Sequence, residues 1–200
     1  MKSSEAPTLA GVLLAAGESV RLGQPKQLVM LDGESLVRRA AQLLLSVGVE
    51  PVAVTGHCSR EVNRELEDLP LTTVLNPDWK QGMGGSIACG VQNISGNVDG
   101  VLLVLCDQWR VEKEDLSKII SIWTSDISRI CVASWRDKNG PVSGPPAIFP
   151  CKYIHELKFL NKDKGAKAII DRHQHVRYME MENAAYDLDR PEDLEQLVDE

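Results

Sequence analysis

The sequence predicts a doubly wound α/β fold: a mostly parallel sheet with helices on both faces. Three observations carry this. Val12 to Ala16 and Gly100 to Leu105 are short apolar runs without alternation, the pattern of strands buried on both faces. Strand-like and helix-like segments alternate along nearly the whole chain, which argues for parallel strands joined by right-handed crossovers. Each apolar run also ends on residues suited to chemistry, a glycine-bearing basic loop after the first and Asp107 after the second. In open α/β sheets, ligands bind outside the carboxyl ends of the strands.

The elements follow in order. Ser35 to Val47 predicts a helix, with Leu36, Ala40, Leu43, Leu44 and Val47 at helical spacing, Ser35 as cap and Gly48 as stop. Pro51 to Thr55 predicts a strand, Ser59 to Leu66 a charged surface helix, and Thr72 to Leu75 a strand ended by Asn76-Pro77. A helix is expected over Gly85 to Asn93, a second over Glu112 to Trp123, and a strand over Ile130 to Ala133. Arg136 to Gly144 is rich in turn formers and predicts a loop or hairpin, with a short extended piece at Pro146 to Phe149. Gly165 to Arg172 reads as helix, Val176 to Glu180 as strand, and Pro191 as the start of a last helix to about Val198.

The 200 residues fit one domain of ordinary size. Residues 1–8 read as a loose polar leader without the apolar run of a signal peptide. Residues 9–200 read as a single domain, with a subregion of about 135–180 over the same sheet. The formal net charge of -7 argues against nucleic acid or anionic membrane as a partner, since either would want a basic face. No apolar run approaches a membrane span. The five cysteines are scattered and form no C-x-x-C pair, which suits reduced thiols in a cytoplasm. His173 and His175 read as turn residues rather than a metal pair.

The loop after the first strand carries Gly17, Ser19, Arg21, Gly23, Pro25 and Lys26. Glycine admits a close approach, loop N–H groups point at oxygens, and cations match phosphate charge. Neither familiar phosphate loop fits. Five residues separate Gly17 from Gly23, with Gln24 following, and position 19 is Ser, so both the P-loop and the G-x-G-x-x-G spacing fail. The ordinary alternative is a strand-to-helix loop with solvated cations. Asp107, at the end of the second apolar run, could hold Mg²⁺ or cap the helix that follows.

The segment Leu14 to Leu28, LAAGESVRLGQPKQL, resembles the signature of nucleotidyltransferases that act on sugar phosphates and molybdopterin. Four further segments match in order: Asn76–Ser86, Leu105–Gln108, Gly144–Pro150 and Asp187–Leu194. The chain most resembles the molybdenum cofactor cytidylyltransferases of the MobA-like NTP transferase superfamily, which implies a Rossmann-like three-layer sandwich. It also implies Mg²⁺-dependent transfer of CMP from CTP to the terminal phosphate of molybdopterin or molybdenum cofactor, with release of pyrophosphate. The implied nucleotide site is Leu14, Ala15, Ala16, Gly17, Ser19, Arg21, Lys26, Gly82, Gly84, Ser86 and Asp107. Arg21, Lys26 and Asp107 are the implied catalytic groups. The implied metal ligands are Asp107 and Asp189, with Asp187 as substitute. Asn76 and Trp79 would shape the second glycine cluster. Gly144, Pro145 and Pro146 would shape the acceptor side, and Lys164, Gly165 and Ala166 resemble a further D-K-G-A segment. Trp109 departs from the proline usual in the C-D-x-P segment. A molybdoenzyme or its cofactor-insertion chaperone would be a protein partner. Two alternatives stay open: a guanylyltransferase or other transferase acting on a different phosphorylated small molecule, and a non-catalytic protein that binds and delivers the cofactor.

Overall fold

Seven strands form one sheet in the order β5-β4-β1-β6-β8-β7-β9. The computed structural model describes residues 6–161, 165–173 and 175–197. Lys164, the start of the leader and the Val198 end of the last helix lie outside them. The strands are β1 (Leu9–Ala15), β4 (Pro51–Thr55), β5 (Thr72–Leu75), β6 (Gly100–Leu105), β7 (Ile130–Asp137), β8 (Gly140–Pro150) and β9 (Val176–Glu180). A small hairpin of β2 (Met30–Leu31) and β3 (Glu34–Ser35) stands apart. β1 pairs in parallel with β4 and β6, β4 with β5, and β7 with β9. β8 runs antiparallel to both β6 and β7.

Successive residues of β1 serve opposite layers. Leu13 and Ala15 join one core with α1 (Leu36–Ser46), α2 (Ser59–Leu66) and α4 (Lys113–Thr124). Val12 and Leu14 join the other, with α3 (Met83–Gln92), α5 (Ile154–Lys158) and α6 (Lys167–Ile170). Strand alternation between two helix layers is what an unalternating apolar run requires. α1 buries Leu36, Val37, Ala40, Ala41 and Leu44 on one stripe. α4 starts at a capping box, with Glu112 at the cap and Asp115 reaching back to its N–H at 3.0 Å.

The differences from expectation lie mostly in the second half. The turn-rich stretch is a hairpin of long strands, so β7 runs on to Asp137 and β8 begins at Gly140. Cross-strand pairing overrides the low strand propensity of its Gly and Pro residues. α5 was not foreseen, α6 spans four residues, and the chain after Pro191 is a 3-10 helix, Pro191–Leu197.

Candidate active site

The carboxyl ends of β1 and β6 lie side by side, Leu14 opposite Leu105. Both chemistry-bearing segments therefore start from one place. The backbone after β1 is held by three donors. Cys106 N–H reaches Leu14 O at 3.3 Å and His57 N–H reaches Ala16 O at 3.1 Å. The fully buried Gln27 amide donates to Ala15 O at 3.0 Å and Gly17 O at 2.7 Å. Gln27 is a brace that sequence reasoning missed, although it stands within the quoted motif. The loop then turns on Ser19 (φ 59°), whose carbonyl accepts the N–H groups of Leu22 and Gly23. The Ser19 hydroxyl accepts Lys26 N–H at 3.2 Å.

Lys26 reaches from this loop to Asp107, and the two form an ion pair. Asp107 is 4% exposed. Burial disfavours the Lys26 ammonium, but the charge and hydrogen bond of Asp107 outweigh it and hold the amine above its ordinary pKa. The neighbouring Cys106 thiol is pushed up to about 12 by burial and by Asp107, so it is inert.

Asp187 joins this pair. Gln108 and Asp187 form an isolated antiparallel bridge, and Leu188 N–H donates to Asp107 O at 3.1 Å. Partial desolvation, then the charge of Asp107, raise the Asp187 carboxyl above its ordinary range, although the residue stays open to solvent on its other side. Asp189 pairs with Arg21 on the rim, where the two side chains are 38% and 69% exposed. The chain turns there, as Asp193 accepts the N–H groups of Asp189 and Arg190 at 3.0 and 2.7 Å. Among the described residues no group of three or more His, Cys, Asp or Glu gathers as a metal-binding cluster. His173 packs edge-on against Tyr153 at 4.7 Å.

Lys26 and Asp107 floor a cleft of about 520 Å³, with Arg21, Asp187 and Asp189 outside its lining. Leu14, Ala16, Gly17, Lys26, Gly82, Ser86 and Asp107 line it, joined by Glu18, Val20, Trp79, Lys80, Met83 and Leu105. Ala15 belongs to the opposite core, as strand alternation demands, and Gly84 is buried within α3. Gly82, at φ 112°, turns the chain into the start of α3. That brings the N-terminus of a ten-residue helix to the cleft wall, where its dipole favours anions. Asn76 fixes the turn, donating to Ser86 Oγ at 3.1 Å and accepting Asp78 N–H at 3.0 Å. Trp79 packs edge-on against His57 at 5.4 Å. Gly56 is a second residue that sequence reading passed over. A Cβ there would lie 2.7 Å from Ala16 O and from Trp79 Cβ.

The MobA-like NTP transferase domain matches residues 11–176. The chain belongs to that family. Nicotine blue oxidoreductase of Paenarthrobacter nicotinovorans is 37% identical over 110 residues, covering 54% of this chain and 53% of that protein. This chain thus spans about half the length of that relative. The purine catabolism protein PucB of Bacillus subtilis is 28% identical over 82% of this chain and 81% of its own. A probable molybdenum cofactor guanylyltransferase of Opitutus terrae is 38% identical over 61 residues, 30% of each chain. Among solved structures, Rv0371c of Mycobacterium tuberculosis matches with TM-score 0.84 and 26% identity, over 98% of this chain and all of that one. An Rv0371C complex with manganese shares the fold with TM-score 0.77 at 23% identity, over 96% of this chain and 98% of that one. Family and fold are those of the MobA-like NTP transferase domain.

Proposed function

We propose that this protein transfers CMP from CTP to the terminal phosphate of molybdopterin or molybdenum cofactor and releases pyrophosphate. One observation carries the reading most: the cleft between the Gly17 loop and the start of α3 has the buried Lys26–Asp107 pair at its floor, with Asp187 beside it. In transfer, an acceptor phosphate oxygen attacks the α-phosphorus in line. The bond to the β-phosphate bridging oxygen breaks, and its electron pair leaves with pyrophosphate. The nucleophile is already anionic near neutral pH, so positioning and charge neutralisation suffice without a general base. Lys26 and the N–H groups around Gly82 would bind the triphosphate, and Arg21 would meet it from the rim.

The chemistry of the donor set fits a divalent cation. Two carboxylates of neighbouring backbone segments, Asp107 and Asp187, face a single lysine, and Mg²⁺ takes one or two carboxylates plus phosphates. Asp107 and Asp187 would hold it, with Asp189 as the outer candidate. The bound ion would supply screening of the phosphate charge. The manganese in the similar structure supports a divalent ion of this kind.

CTP is favoured by local crowding. Ala16 is buried and lines the cleft, so its methyl stands where a glycine would leave room. The carbonyls of Leu14, Ala15 and Ala16 each already accept a hydrogen bond. The name of the Opitutus relative favours a second reading, GTP as donor. Measuring kcat/KM for CTP, GTP, ATP and UTP with molybdenum-loaded molybdopterin separates the two. A CTP preference of roughly tenfold to a hundredfold is expected, the worth of an unmatched buried polar group of ~1–3 kcal/mol. Equal use of CTP and GTP overturns the base assignment. Absence of pyrophosphate release with any nucleotide favours a delivery protein instead.

A further inference from the structure

Two large cores hold the helices to the sheet, but a third and smaller cluster lies under the site. It consists of Leu22, Leu36, Trp109 and Leu188, with Tyr186 among the residues packed against it. Leu22 follows Arg21 in the phosphate loop, and Leu188 sits between Asp187 and Asp189. Trp109, two residues beyond Asp107, is the large side chain among these four and is 8% exposed. The Tyr186 ring meets it edge-on at 6.1 Å. The Arg110 guanidinium lies over both rings, 4.6 Å from Trp109 and 4.1 Å from Tyr186.

Tyr186 and Leu188 pack into one cluster. In an extended segment the residue between them faces the other way, which is the side of Asp107 and Lys26. Two carboxylates repel, so this arrangement needs something to hold the segment in place. The backbone bond from Leu188 to Asp107, the Gln108–Asp187 bridge and the Gln108 amide donating to Ala184 O at 2.9 Å do part of it, and the apolar cluster adds to them. We propose that Trp109 is a positioning residue, which keeps Asp187 beside Asp107 by seating Tyr186 and Leu188. A proline at that position could stiffen the loop but could not span from Leu22 to Leu188. The inference rests on the reading of Asp107 and Asp187 as ligands of a divalent cation.

The test uses the full chain and Mn²⁺ as probe, with free ion followed by electron paramagnetic resonance in the presence of CTP. Trp109→Ala should weaken Mn²⁺ binding about tenfold to a hundredfold, the usual cost of losing a group that orients a metal ligand. Trp109→Phe, which keeps a ring in place, should restore most of the affinity. Trp109→Leu is the second variant in case the alanine does not fold, since it keeps apolar bulk but cannot reach both leucines. Leu194→Ala loosens the same cluster from the Pro191–Leu197 helix rather than from the Asp107 loop, and its affinity should match the unmodified protein. Equal weakening by Leu194→Ala and Trp109→Ala, read beside their melting temperatures, would reduce Trp109 to ordinary packing and overturn the inference. Unchanged affinity in Trp109→Ala and Trp109→Leu, with affinity lost in Asp107→Ala, overturns the positioning role alone. Unchanged affinity in Asp107→Ala, or no Mn²⁺ binding by the unmodified protein, overturns the metal reading and this inference with it.

Discussion

The floor and the rim of the cleft hold the same chemistry in different solvents. Each has one basic loop residue paired with one aspartate: Lys26 with Asp107 inside, Arg21 with Asp189 outside. The inner side chains are 22% and 5% exposed, the outer 69% and 38%. Exposed ion pairs are worth about 0–1 kcal/mol, whereas breaking a buried one leaves a charge that costs about 3–5 kcal/mol. The inner pair is thus a fixed part of the structure, and the outer pair can exchange partners at little cost. On the proposed reading, a triphosphate with its cation would present matching charges to both, phosphate oxygens to Lys26 and Arg21 and a cation to Asp107. On that reading the catalytic weight falls at the floor, and the two second carboxylates differ in which pair they join, Asp187 the inner and Asp189 the outer.

The largest effects should test that weight. Asp107→Ala and Asp187→Ala are each expected to lower kcat on the order of 10²–10³, as for loss of one preorganised electrostatic group. Asp189→Ala should cost no more than about fivefold, the scale of an exposed pair. Measured with folding checked by circular dichroism, a large loss at Asp189 and none at Asp187 would reverse the assignment of inner and outer roles. Lys26→Ala comes next. A cation about 4 Å from a phosphate charge is worth roughly 4 kcal/mol at an effective dielectric of 20, before desolvation. NTP affinity or turnover should fall strongly, and the melting temperature should drop because Asp107 stays buried without its partner. Arg21→Ala should leave the melting temperature nearly unchanged. Similar melting shifts in both would mean that burial does not separate the pairs.

A smaller effect is expected at Gly56. Its Cβ would press on the Ala16 carbonyl, a backbone atom that cannot rotate away. Gly56→Ala should destabilise the fold by ~1–3 kcal/mol, as overpacking does. It should also raise the KM for nucleotide, because Ala16 and Trp79 line the cleft. An unchanged KM would show that this wall is not part of the nucleotide site. The smallest effect belongs to a pair outside the cleft lining, half-buried Arg38 with exposed Asp68, which serves as a reference for the rim. The Arg38 hydrogen bond holds the Asp68 carboxyl down to about 2. A lowered folded pKa gives stability that is present above the ordinary aspartate value near ~3.9 and is lost as pH falls through about 2. Asp68→Asn should therefore lower the melting temperature slightly at pH 6, and the difference should vanish near pH 2. A difference that persists there would point to packing rather than charge.

Much of this molecule follows from local sequence. The apolar runs of β1 and β6 have no alternation because helices cover both faces, and that alone put Asp107 and the basic loop at strand ends. Gly82 to Ser86 was legible as a glycine cluster opening a helix. What the sequence could not show depends on partners far away in the chain. β8 runs for eleven residues between β6 and β7, pairing with β6 over Ala147–Pro150 and with β7 from Gly140 to Ile148, although Arg136 to Gly144 read as loop or hairpin with only a short extended piece after it. Asp187 and Asp189 share a face in an extended reading, yet Asp187 stands beside Asp107 while Asp189 pairs with Arg21 on the rim, where Asp193 caps the turn. Local pattern thus determined which residues carry chemistry and at which end of the sheet they stand. Tertiary structure decided which carboxylate stands beside Asp107 and which cation is locked, because charge pairing across the sheet arises only when distant segments meet.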